Sequence, residues 1–276
     1  MSLSACIPAA FLYCAALLAP ATAQQPSPAR ARVELLARQD AIIAGRDLQL
    51  GIHFVLEPGW HIYWINPGDS GQPPTLKWQL PAGFSAGEIE WPRPERMQTT
   101  AQLADYGYHG EVLLPVTVHV PSSASAGSPV QIAAEAKWLV CREVCIPEHA
   151  QLHLELPVAQ SAKDNPQSAA LFASTQKLLP QAMPQSWKAT LMSNKSDLFL
   201  LLKTGKQIKK AEFFPLEPNQ IDNPAPQRVQ PAPAGVMITL KKSDLLMKPV
   251  EVLRGVLVVP DGTVYRIEAP RLQPIK

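Results

Sequence analysis

Two cysteines separated by three residues, in Lys137-Trp138-Leu139-Val140-Cys141-Arg142-Glu143-Val144-Cys145-Ile146-Pro147-Glu148-His149, hold most of the chemistry this sequence can offer. Bridged cysteines need Cα atoms about 4.4–6.8 Å apart, whereas four residues of extended strand span about 13 Å. The pair must therefore close either a helical turn, where residues i and i+4 are neighbours, or a tight hairpin whose loop is Arg142-Glu143-Val144. Strand-like flanks favour the hairpin. Three chemistries fit the spacing. A structural staple is weak here, because a ring of about five residues contributes only about 2 kcal/mol in the chain-entropy model. Redox exchange suits a short ring, since strained or exposed disulfides are the exchangeable ones. A metal site would need further ligands, of which His149 is the nearest candidate. Exchange needs a thiolate. Arg142 and Lys137 favour that form while Glu143 and Glu148 oppose it, so the charges near the pair almost cancel.

The compartment follows from the N-terminus. Residues 1–23 read as a secretory signal: an apolar run from Ile7 to Ala19, then small residues at Ala21 and Ala23 ahead of a cleavage point before Gln24. Tyr13 before Cys14 is a poor fit to a lipoprotein signal, so cleavage is expected rather than lipidation. Cleavage removes Cys6 and Cys14. Cys141 and Cys145 are then the remaining pair in a compartment where disulfides form and persist, and a disulfide between them is expected. No later stretch approaches the roughly 18–20 apolar residues that span a bilayer, which predicts a soluble mature protein with no direct membrane insertion. A formal net charge of +2 without a basic run excludes a nucleic-acid footprint. No phosphate-cradling glycine loop, Ser-His-Asp order or paired carboxylates stand out, and no cofactor is expected.

The elements that must position the cysteines are strands. Leu48–Val55, Val112–Val120 and Gln151–Leu156 alternate at period two. Turn signals separate such runs at Glu57-Pro58-Gly59, Asn66-Pro67-Gly68-Asp69, Pro81-Ala82-Gly83 and Ser122–Gly127. The pattern predicts an all-β chain with a sandwich over residues 24–160. Residues 161–186 read as a linker with a short helix over Ala169–Leu179. Strand patterns resume at Asp197–Lys203, Val236–Lys241, Val250–Val259 and Val264–Ile267, predicting a second, smaller β-sandwich over residues 187–276.

The string Cys141-x-x-x-Cys145-Ile146-Pro147-Glu148 resembles the active-site segment of the periplasmic N-terminal domain of the thiol:disulfide interchange protein DsbD family, and more closely its ScsB-like branch. Gly59-Trp60-His61-Ile62-Tyr63-Trp64-Ile65-Asn66-Pro67-Gly68-Asp69-Ser70-Gly71, Trp91-Pro92-x-Pro94 and Tyr106-Gly107-Tyr108-x-Gly110-Glu111-Val112 agree with it. So do Phe213-Phe214-Pro215 and Ile221-Asp222-Asn223-x-Ala225-Pro226-Gln227 in the second half. The resemblance implies an immunoglobulin-like sandwich that passes electrons from a membrane-embedded donor to periplasmic thioredoxin-like or disulfide-isomerase proteins. The donor is expected to be a separate chain, because this one ends before any membrane segment. The resemblance also implies that Cys145 is the sulfur attacked or attacking, with Cys141 resolving the mixed disulfide. It places Tyr106 and Tyr108 in a cap loop over the cysteines, and Tyr63 and His61 beside them on a neighbouring strand. This chain departs from the best-known members in its three-residue gap between cysteines. The competing expectation is a non-catalytic protein- or copper-binding module whose disulfide is structural, copper entering because ScsB-like proteins are associated with copper tolerance.

Overall fold

The computed structural model describes residues 29–127 and 129–272; the expected signal segment, residues 1–23, lies outside the described residues. The first half is built from β1 (Ala31–Ala37), β2 (Leu48–Leu56), β3 (His61–Gly68), β4 (Thr75–Gln79), β5 (Ser85–Ile89), β6 (Glu95–Gln98), β7 (Ala104–His109), β8 (Glu111–His119), β9 (Val130–Cys141) and β10 (Cys145–Leu156). They form two sheets, one ordered β1-β2-β8-β5 and one ordered β10-β9-β3-β7-β6 with β4 also paired to β9. The second half adds α1 (Ala169–Gln176), β11 (Gln181–Ala182), β12 (Lys188–Ser193), β13 (Asp197–Lys203), β14 (Glu212–Pro215), β15 (Arg228–Ala232), β16 (Gly235–Lys241), β17 (Val252–Val258) and β18 (Val264–Pro270). These strands form the sheets β11-β18-β17-β14 and β12-β13-β16-β15. The chain is all-β, one sandwich followed by a second as the strand spacing predicts, and the first is immunoglobulin-like as the resemblance implies.

Alternation explains which side chains each strand buries. Along β9, Ile132, Ala134, Ala136, Trp138 and Val140 are all buried, and all but Ala134 belong to the first core. The opposite parity therefore carries Cys141 onto the outer face of its sheet. Phe54 from the other sheet meets Trp138 edge-on at 5.4 Å between centroids, which ties the two layers together behind the cysteine hairpin.

The core does not stop at the first sandwich. Phe214, Val256 and Val264 belong to the same buried cluster as Trp64 and Tyr106. Phe214 stacks edge-on against Tyr106 at 5.3 Å and Trp64 at 6.4 Å. Polar contacts fix the register of this junction: Asn66 Nδ2 donates to the Pro215 carbonyl at 2.8 Å, and Arg96 donates to the Ala225 carbonyl at 2.9 Å. The helix α1 is shorter than the sequence predicts, ending at Gln176 rather than Leu179. Asn165 caps its approach by accepting from Gln167 N, and buried Phe172 holds it to the body of the protein. Among the described residues no helix is long and apolar enough to cross a membrane.

Candidate active site

Cys141 ends β9 and Cys145 begins β10, and the two are direct cross-strand partners in an antiparallel ladder. Their Cα atoms are 4.1 Å apart and their sulfurs are bonded. The loop is Arg142-Glu143-Val144, closed by Arg142 N donating to the Val144 carbonyl at 3.2 Å. The hairpin alternative is therefore the one the chain adopts. The two cysteines are not equivalent. Cys141 is only 2% exposed, whereas Cys145 is open to solvent at the hairpin tip beside Val144, itself 64% exposed. An incoming sulfur can reach Cys145 and not Cys141.

The ladder continues past the disulfide. Cys141 pairs with His61 on β3, and His61 pairs with His109 on β7. Direct partners in an antiparallel ladder point to one face, so Cys145, Cys141, His61 and His109 form a single row across four strands. Tyr63, two residues along β3, shares that face. Its hydroxyl lies 3.5 Å from Cys145 Sγ and its ring meets the His61 imidazole edge-on at 5.2 Å. The structure thus brings together four of the six residues singled out in the sequence: Cys141, Cys145, Tyr63 and His61.

Tyr106 and Tyr108 are placed elsewhere. On β7 they alternate with Gly107 and His109, and the pleat turns both tyrosines into the core, away from the row. Tyr106 Oη donates to Asn223 Oδ1 at 2.9 Å, and Tyr108 Oη donates to the Pro92 carbonyl at 2.8 Å. The loop after β3 instead covers Tyr63, the neighbour of Cys145. A Cβ on Gly71, whose φ is +77°, would lie 2.1 Å from Tyr63 Cζ, so the loop backbone rests directly on the phenol ring. Only a residue without a side chain fits there. Asp105 anchors this loop, accepting from Ser70 N at 2.9 Å and Ser70 Oγ at 2.8 Å. Asp69 in turn accepts from Ala104 N and from Asn223 Nδ2, each at 2.8 Å, which ties the loop to the second sandwich. In sequence, Asn66-Pro67-Gly68-Asp69 reads as a turn; β3 in fact runs through Gly68, with a register shift between Tyr63 and Gly68 against β7. Asp105 and His109 carried no signal in the sequence, while Gly71 and Asn223 fall inside stretches that carry the family resemblance, which gave them no site role.

The electrostatics are those of a neutral, partly closed site. Burial, with His109 as the second cause, pushes the His61 imidazole down to about 4. Burial likewise raises the Tyr63 phenol, so it stands as a hydroxyl donor at neutral pH. Three of the four charged side chains flanking the cysteines are engaged: Arg142 lies over the Trp60 ring at 5.2 Å, Lys137 pairs with Glu135 at 3.0 Å, and Glu148 accepts from Arg30 N at 3.0 Å. Among the described residues, no group of three or more His, Cys, Asp or Glu side chains is set to hold a metal ion.

The depressed His61 has a consequence for stability. An unfolded histidine titrates near 6.5, so between about pH 6.5 and 4 the unfolded chain binds a proton that the folded chain does not. The contribution is present above pH 6.5 and lost as the pH falls toward 4. Urea unfolding of the oxidised protein is expected to show a smaller stability loss across that window in His61→Gln than in the parent. Equal losses in both proteins would refute the assignment.

Comparison with known proteins agrees with this geometry. Residues 32–157 match the family model described as "Thiol:disulfide interchange protein DsbD, N-terminal". The N-terminal periplasmic domain of ScsB from Proteus mirabilis superposes with a TM-score of 0.66 at 17% identity, over 91% of this chain and 97% of that one. That match spans both sandwiches and establishes a shared fold. The periplasmic chaperone SfaE, at 9% identity over 86% of this chain and 98% of its own, gives a TM-score of only 0.22 and carries no argument. No curated protein matches.

Proposed function

Residues 32–157 belong to the family of the N-terminal domain of the thiol:disulfide interchange protein DsbD, and on that premise we propose that this chain carries electrons in the periplasm through Cys141 and Cys145. They come from a membrane-embedded donor and go to thioredoxin-like or disulfide-isomerase proteins. The observation that carries this reading is the asymmetry of the disulfide: Cys145 is exposed at the hairpin tip and Cys141 is buried behind it. A disulfide made only to staple would gain nothing from exposing one sulfur at the tip, and its five-residue ring would add little stability.

The roles follow from position. In the reduced protein, Cys145 attacks the partner disulfide and forms the mixed disulfide, with the Tyr63 hydroxyl placed to donate to its thiolate. A hydrogen bond to the charged form favours that form, so Tyr63 supports ionisation where neighbouring charges do not. Cys141 then attacks Cys145 Sγ, the ring closes, and the partner leaves with both electrons. The loop carrying Gly71 shields the tyrosine side of the site, while Val144 offers an apolar contact beside the reacting sulfur. The second sandwich serves as the scaffold to which that loop is fixed through Asn223.

The test is transfer itself. Reduced protein mixed with an oxidised thioredoxin-like protein is expected to deliver two electrons per molecule, read by alkylation and mass. A reduced form whose thiols stay on this chain while the partner remains oxidised would defeat the proposal.

A further inference from the structure

The buried end of the cysteine row contains a histidine that the exchange scheme above does not use. His61 is the direct cross-strand partner of Cys141, is 5% exposed, and lies on the same face as the disulfide. Its Nε2 is buried with no hydrogen-bond partner. A buried polar atom left unpaired costs roughly 1–3 kcal/mol, so the position is unfavourable for an imidazole whose only task is to fill space. Apolar side chains of similar size would do that task without the cost. The ionisable groups facing His61 are Tyr63 on its own strand, His109 on β7, Cys141 on β9 and Cys145 on β10, with Asp105 lying beyond Tyr63 beneath the loop.

Cys141 presents the complementary need. In the mixed disulfide it is a thiol held in a buried place, and burial in apolar surroundings raises a thiol's pKa and makes it inert. Resting on the exchange reading, we propose that His61 accepts the Cys141 proton when Cys141 resolves the mixed disulfide on Cys145. In that step the Cys141 S–H proton passes to His61 Nε2 while the sulfur attacks Cys145 Sγ. The Cys141–Cys145 bond forms, and the bond from Cys145 to the partner sulfur breaks. The partner leaves as a thiolate with the electron pair, and the imidazolium then returns its proton to that thiolate or to water. In the reverse direction, a donor thiol gives up its proton, through water, to His61 as its sulfur attacks Cys145, and the imidazolium so formed protonates the Cys141 thiolate that is expelled. The developing thiolate–imidazolium pair stabilises itself, as opposite charges in contact do, which is what lets a neutral resting imidazole serve as the acceptor.

A chromogenic disulfide isolates the step. When the reduced full chain reacts with one equivalent of dithio-bis-nitrobenzoate, the first coloured thiolate reports attack by Cys145 and the second reports resolution by Cys141. At pH 7, His61→Gln is expected to slow the second release by about ten-fold or more, the lower edge of what a positioned acid–base group contributes, and to leave the first within about two-fold. Near pH 10, where the thiol ionises unaided, the gap should close. His61→Ala provides an independent check, because added imidazole should restore its second release. A second release that is unchanged, or slowed by the same factor at every pH, or not rescued by imidazole, would overturn the role of His61 while leaving exchange at Cys145 intact. Failure of the parent protein to give the first release would instead remove the exchange reading itself.

Discussion

Replacing Cys141 with serine is expected to abolish turnover and to accumulate mixed disulfides at Cys145. Replacing Cys145 with serine should abolish turnover without accumulating any. The two cysteines differ in burial. Cys145 sits at the tip of the β9–β10 hairpin where a partner can approach, and the Tyr63 hydroxyl is 3.5 Å away to support its thiolate. Cys141 is 2% exposed and has Cys145 as its reachable electrophile. With Cys141 gone, the mixed disulfide has no internal sulfur to resolve it, and its lifetime becomes that of attack by external thiols. Non-reducing electrophoresis of each variant after incubation with oxidised thioredoxin-like protein reads the result directly. Equal trapping by both variants, or trapping through Cys141 alone, would mean that the reactive sulfur has been misassigned.

Phe214→Ala is expected to cost about 3–5 kcal/mol, the range for emptying a fully buried aromatic site. The unusual part is where the loss should appear. Phe214 is on β14 of the second sandwich, yet it packs on Trp64 and Tyr106 of the first and shares their core. Removing it opens a cavity across the junction and loosens Tyr106, whose hydroxyl holds the same Asn223 that bonds Asp69 of the loop over Tyr63. Urea unfolding followed by tryptophan fluorescence should therefore show one transition displaced to lower urea. The site loop should also become more open, seen as faster alkylation of Cys145 in the reduced protein. A loss below about 1 kcal/mol, or a loss confined to a separate second-sandwich transition, would show that the two halves are energetically independent.

Much of this was readable in the sequence. Alternation in Leu48–Val55 marks a strand because period two is what a half-buried sheet demands, the short apolar run in Asp197–Lys203 reads as one too, and both segments fold as strands. The reach of a disulfide narrows the Cys141–Cys145 segment to a helical turn or a hairpin, and its strand-like flanks favour the hairpin it forms. What alternation could not supply was the face. Tyr106, Gly107 and Tyr108 are consecutive, so a one-residue choice of parity decides whether the tyrosines or the glycine look toward the cysteines. That choice is made by Phe214 and Asn223, more than a hundred residues away, which draw Tyr106 into the junction. The loop over Tyr63 escaped notice for a related reason. Asn66-Pro67-Gly68-Asp69 carries every local mark of a turn, and only the pairing of Gly68 with Asp105 extends the strand. His61 and Tyr63 were visible as neighbours at i and i+2. The row that joins His61 to Cys141 depends on inter-strand register, which one strand's sequence does not encode.

On the exchange reading, the Cys141–Cys145 bond is a working redox centre. An equilibrium titration of the mature protein in graded thiol buffers, read by alkylation and mass shift, tests it most directly. A midpoint between about −120 and −270 mV is expected, the span of proteins that exchange disulfides. A midpoint below about −300 mV would contradict it and mark the bond as a structural staple.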